Sequence, residues 1–101
     1  MDVFAFRDGF AGRGASTHVC VADEAQAASM LSREEINRLF FGYVLYKPML
    51  GRAYVGVWGA RNASKFRQVL RERGAILNIV RDRSPAPLSR WVTHGKKRET
   101  P

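Results

Sequence analysis

The chain has 101 residues, 46% of them apolar, and carries 17 basic against 9 acidic side chains for a net charge of +8. That is one domain's worth of chain with one core, which argues against wholesale disorder and leaves little room for a large cofactor pocket. A single cysteine excludes an intramolecular disulfide framework and a CxxC zinc site, and no apolar run reaches the roughly 18 residues of a membrane span. The opening MDVFAFRDGF has neither a basic n-region nor a long apolar stretch. No signal peptide and no membrane contact are therefore expected, and the expected location is the cytoplasm.

Along the chain, Asp2–Arg7 (DVFAFR) reads as a strand. A glycine-rich loop follows, DGFAGRGAS. Thr17–Ala22 (THVCVA) alternates and reads as a second strand, with His18 and Cys20 on one face and Val19 and Val21 on the other. Asp23 is a natural helix N-cap, and Ser32-Arg-Glu-Glu35 is a capping-box pattern. Helix is expected from about 24 to 41, with a break near Leu31 and Gly42 as its stop. Tyr43–Lys47, a turn at Pro48–Gly51 and Ala53–Trp58 form the clearest hairpin. A second helix is expected over 62–73, capped by Asn62 or Ser64 and closed by Gly74. Its inner stripe is Ala63, Phe66, Val69 and Leu70, and its outer face Lys65, Arg67, Gln68, Arg71 and Glu72. Ala75–Val80 is the last strand. Beyond it, 82–101 reads as a basic, Pro-containing tail that Leu88 and Trp91 can anchor.

The expected fold is α+β: a compact single domain over 1–81 in the order ββαββαβ, with two helices packed on one face of a mainly antiparallel sheet. The unit 53–80 is also long enough to be a parallel crossover.

The charge is lopsided. Residues 1–50 hold five basic and six acidic side chains, and residues 51–101 hold twelve and three. Arginine outnumbers lysine 13 to 4. Arginine forks grip phosphate or carboxylate with two parallel hydrogen bonds and stack on bases. The candidate binding residues are Arg61, Lys65, Arg67, Arg71 and Arg73 on or beside the second helix, then Arg81, Arg83, Arg90, Lys96, Lys97 and Arg98. Trp91 lies among the tail charges and is the candidate base-stacking residue.

Other constellations carry less. GFAGRG runs into a strand and lacks the Lys-Ser/Thr of a Walker loop, so it reads as a flexible hairpin loop. His18, Cys20 and His94 are too few and too dispersed for a closed zinc site, and no metal or cofactor is expected. Cys20 beside His18 has the residue types of a nucleophile and base, but in mid-strand the pair reads as packing. AQAASMLSREEINRLFF resembles the second half of a helix-turn-helix, yet lacks the glycine of the turn and offers Glu34 and Glu35 to DNA. GYVLY at 42–46 with YVG at 54–56 resembles the two-strand signature of GIY-YIG nucleases, yet no later glutamate stands where that family holds its metal. Neither resemblance supplies a site.

The first expectation is thus a small basic, non-enzymatic module that binds DNA or RNA through phosphates. The second is a small adaptor or inhibitor of phage or mobile-element type, docking on an acidic protein surface or a nucleic-acid channel. There Phe40, Phe41, Tyr43, Tyr46 and Trp58 would be exposed hot spots. A third is a ribonuclease with His18 or His94 as its base.

Overall fold

The computed structural model describes residues 1–9, 16–40, 44–49, 51–81 and Pro85. The expectations for loop residues 10–15, for Phe41 and Tyr43, and for Leu88, Arg90, Trp91, His94 and the other tail residues lie outside that set.

The domain is α+β, with a five-stranded mixed sheet and three helices. In chain order the elements are β1 (Asp2–Gly9), β2 (Ser16–Asp23), α1 (Glu24–Ala27), α2 (Arg33–Leu39), β3 (Val44–Met49), β4 (Arg52–Trp58), α3 (Ala60–Glu72) and β5 (Asn78–Arg81). The sheet order is β3-β4-β2-β1-β5. Three of its ladders are antiparallel, and β1 pairs with β5 in parallel. Following those directions across the sheet, β4 and β5 run the same way. The α3 segment is therefore a parallel crossover between β4 and β5, the alternative left open for 53–80, and β2 and β1 stand between the two strands it joins.

The helical stretch expected over 24–41, with its break near Leu31, is two short helices. Asp23 caps α1 by accepting from the backbone amides of Ala25 (2.9 Å) and Gln26 (3.2 Å). Ser32 caps α2 by accepting from the Glu35 amide at 3.2 Å. A second cap only nine residues after the end of β2 starts a separate helix. The Glu35 carboxylate forms an ion pair with Arg73 at 2.6 Å, which ties α2 to the end of α3. β3 also runs further than expected, through Pro48. It is an edge strand, where a missing backbone donor costs no ladder bond.

Helix α3 begins earlier than expected, on Gly59 at φ +104°, with no side-chain cap. Asn62 instead donates to the Trp58 carbonyl at 3.0 Å. The far end closes as expected at Gly74 (φ +98°): its amide bonds to the Arg71 carbonyl and that of Ala75 to the Leu70 carbonyl. Those two bonds satisfy carbonyls the helix leaves open. The chain then joins no ladder until Asn78, so β5 is shorter than expected.

The strand alternation sorts side chains cleanly. One apolar cluster joins Val3, Cys20, Ala22, Val44, Val55 and Val57 from the sheet with Ala27, Leu31, Ile36, Phe40, Ala63, Phe66 and Leu70 from the helical side. Phe40 and Phe66 meet edge to face, ring centroids 5.8 Å apart. The opposite sheet face carries a second cluster of Phe6, Val19, Val21, Leu45, Tyr54 and Trp58.

Two ion pairs hold the short helices. Arg33 grips Glu24 with two hydrogen bonds while its guanidinium lies over the Tyr46 ring, 4.4 Å from the centroid. Arg73 binds both Glu35 and the Met30 carbonyl. Hydrogen bonding to Arg33 holds the Glu24 carboxyl below its usual range, and hydrogen bonding to Arg73 does the same for Glu35. Carboxyls depressed by folding stabilise above their ordinary unfolded range and lose that contribution as pH falls through the depressed folded value. The domain should therefore melt progressively earlier between about pH 5 and about pH 3, and a Glu24→Gln, Glu35→Gln variant should show a shallower fall. Parallel pH curves for the two proteins would refute these pairs as the source.

Candidate functional site

Sheet alternation places Arg7, His18 and Arg81 on the face that also carries Val3, Cys20 and Ala22. Arg7 and His18 are direct partners in the β1–β2 ladder. Arg81 stands opposite Ala5, one alternate position along from Arg7. Helix α3 packs over β2 and β4, leaving the β1–β5 side of this face open beside it. There a pocket of about 420 Å³ is lined by Ala5, Arg7, His18, Ala60, Ala63, Arg67 and Arg81, with Phe6 and Val19.

The helix presents its charges on three sides. Ala63, Phe66 and Leu70 are its buried stripe. At about 100° per residue, Arg67 and Arg71 fall on the flank turned toward β1 and β5. Arg67 is half-buried in the pocket wall, and Arg71 sits one turn further along. Lys65 and Arg73 fall toward the other flank. Lys65 donates to the Leu39 carbonyl at 3.0 Å and caps the Phe40 ring, while Arg73 is engaged by Glu35. Arg61 is exposed on the outer surface. The structure therefore gathers Arg67, Arg71 and Arg81 and separates them from Lys65 and Arg73, which serve as clamps on α2. Arg83, Arg90, Trp91, Lys96, Lys97 and Arg98 lie outside the described residues.

Two members of the pocket, Arg7 and His18, were not among the expected binding residues. Both come from the half of the chain with no basic excess. A signal existed: a hairpin centred on the glycine loop pairs positions whose numbers add to 25, which sets Arg7 against His18. Their side chains meet, with Arg7 Nη1 3.4 Å from His18 Nε2.

The electrostatics are one-signed. Among the described residues, no carboxylate lines the pocket. Among the described residues, no ion pair joins Arg61, Arg67, Arg71 or Arg81 to a carboxylate. The first turn of α3 carries no acidic residue and no side-chain cap, so its positive end adds to the field where Ala60 lines the mouth. Beneath Arg67 lies Cys20, fully buried. Burial pushes its thiol up to about 11, against an opposing pull from hydrogen bonding to Arg67 and the charges of Arg67 and Arg71. At neutral pH it stays a thiol, which fits packing and not nucleophilic chemistry.

A second cavity, about 510 Å³, lies between the short helices and β4. Its charges neutralise one another as Arg33–Glu24 and Arg52–Asp23 (3.5 Å). It offers a ligand no net field.

The three described residues among the hot spots expected for a protein-docking module are buried. Phe40, Tyr46 and Trp58 are 0%, 6% and 4% exposed. The sheet has two apolar faces, and these aromatics fill them. Among the described residues the large exposed apolar side chain is Ile76. No group of three His, Cys, Asp or Glu side chains among the described residues could hold a metal ion. No described helix is long and apolar enough to cross a membrane. Comparison with protein-family models, with curated proteins and with solved structures gives no match to this chain.

Proposed function

We propose that this domain is a non-enzymatic nucleic-acid-binding module whose phosphate contacts centre on the α3–β1–β5 pocket. The observation that carries the reading is the convergence of Arg7, Arg67 and Arg81 with His18 in a cavity that, among the described residues, no carboxylate lines. Arginine side chains only donate, so the ligand must supply acceptors and negative charge. Phosphate oxygens supply both, and Arg71 lies one turn from Arg67 to meet the next phosphate of a strand.

Binding through phosphates releases counterions, so affinity must fall steeply with salt. Fluorescence anisotropy with single- and double-stranded DNA and RNA over a salt series tests this. With four phosphate contacts, the log–log slope should be about −3 to −4. No binding to any of the four at low salt would refute the reading. An acidic protein partner would instead be favoured by a complex that survives high salt and nuclease treatment.

A further inference from the structure

We infer that the pocket takes a terminal phosphate, a phosphomonoester, in preference to the bridging diester of a continuous strand. This rests on the nucleic-acid reading and names the part of the ligand the site selects. The polar side chains approach from three directions. Arg7 and His18 rise from the sheet floor, Arg81 comes from the β5 edge, and Arg67 reaches in from the helix wall. A bridging phosphate has two free oxygens and is held in line by its neighbours on both sides. A terminal phosphate has three free oxygens and up to two negative charges, and it can enter a concavity end-on. A site with donors on three sides, and no carboxylate among its described lining residues, matches the second.

The dimensions agree. At about 420 Å³ the cavity lies within the range of small-ligand pockets and exceeds the needs of one phosphate group. The residues that leave this space, Ala5, Ala60 and Ala63, have side chains that offer no hydrogen bond. They allow the attached sugar to follow the phosphate inward without selecting a base. Two sources supply such a group: the phosphorylated end of a strand, or a free mononucleotide.

The test compares labelled single strands that differ only in a 5′-phosphate, a 3′-phosphate or hydroxyls at both ends. A strand with one phosphorylated end should bind about tenfold more tightly than the all-hydroxyl strand, the worth of an added set of charge-assisted hydrogen bonds. Adenosine monophosphate or inorganic phosphate should erase that difference and leave the residual binding. Arg81→Gln should erase it too. Ala60→Leu keeps every cation but fills the mouth, and should also erase it. Equal affinity for phosphorylated and hydroxyl ends would overturn the inference while leaving nucleic-acid binding intact, as would an Ala60→Leu protein that still discriminates. If no oligonucleotide binds but adenosine monophosphate raises the melting temperature of the wild type and not of Arg81→Gln, the phosphomonoester site stands and the nucleic-acid reading falls.

Discussion

Gly56→Ala is expected to destabilise the domain by about 3 kcal/mol or more, at the upper end of overpacking costs. Gly56 lies in the middle of β4, between Val21 of β2 and Leu45 of β3. A Cβ built there would stand 2.2 Å from the Cys20 carbonyl oxygen and 2.7 Å from the Val21 Cα. Both are backbone atoms of a central strand, so no rotamer change relieves the overlap. The strands would have to separate where β2 also supports Cys20 and His18. Gly51 provides the contrast. A Cβ there meets nothing within 4 Å, and the only penalty is its φ of +78°. Gly51→Ala should therefore cost about 1–2 kcal/mol. Urea melts of the two variants decide the matter, and equal midpoints would show that β4 tolerates a side chain at its centre.

Reversing Arg67 and Arg71 to glutamate should lower nucleic-acid affinity at least about a hundredfold at low salt, since each reversal removes a contact and adds a repulsion. Both residues lie on the flank of α3 that faces the pocket, and neither holds the fold together through an ion pair among the described residues. The melting midpoint should therefore move by no more than about 1 kcal/mol, most of it from the half-buried Arg67 beside Cys20. Single neutralisation of either residue should flatten the log–log salt slope by about 0.9. Arg61→Glu, on the outer surface, is the control and should weaken binding far less. The contrary pattern, with Arg61→Glu as damaging as the double reversal, would move the interface to the solvent side of the helix.

What could be read in advance follows the range of the interactions concerned. Caps are local chemistry, so Asp23, Ser32 and Gly74 announced their roles. The hairpin from Tyr43 to Trp58 was legible for the same reason: short-range alternation around a turn. The break between α1 and α2 was legible in Ser32, whose capping box can start a new helix. The β1–β5 ladder left no local mark. Arg7 reaches the pocket through that ladder and through its partner His18, so a division of charge along the chain set it apart from Arg67 and Arg81, beside which it lines the pocket. Helical spacing set Phe66 and Leu70 inside, but it does not say which flank meets α2. Lys65 and Arg73 were therefore grouped with Arg67 and Arg71, from which the structure separates them. Apolar aromatics read alike whether they fill a core or await a partner, and a sheet with two apolar faces consumed Phe40, Tyr46 and Trp58.

The parallel ladder also governs how the site comes into being. Asn78 donates to the Asp2 carboxylate and, through its amide, to the Met1 carbonyl, joining residues 76 and 77 positions apart. Contacts of such separation form late, because the loop entropy must be overcome before they return any stability. During synthesis the outer edge of β1 waits bare until the segment carrying Arg81 has left the ribosome. The hairpins and α3 can be in place before then, with Arg67 already beside Cys20. The pocket is whole only once β5 has docked, so a nascent chain is expected to have most of the fold before Arg81 joins Arg7 and Arg67 at the cavity.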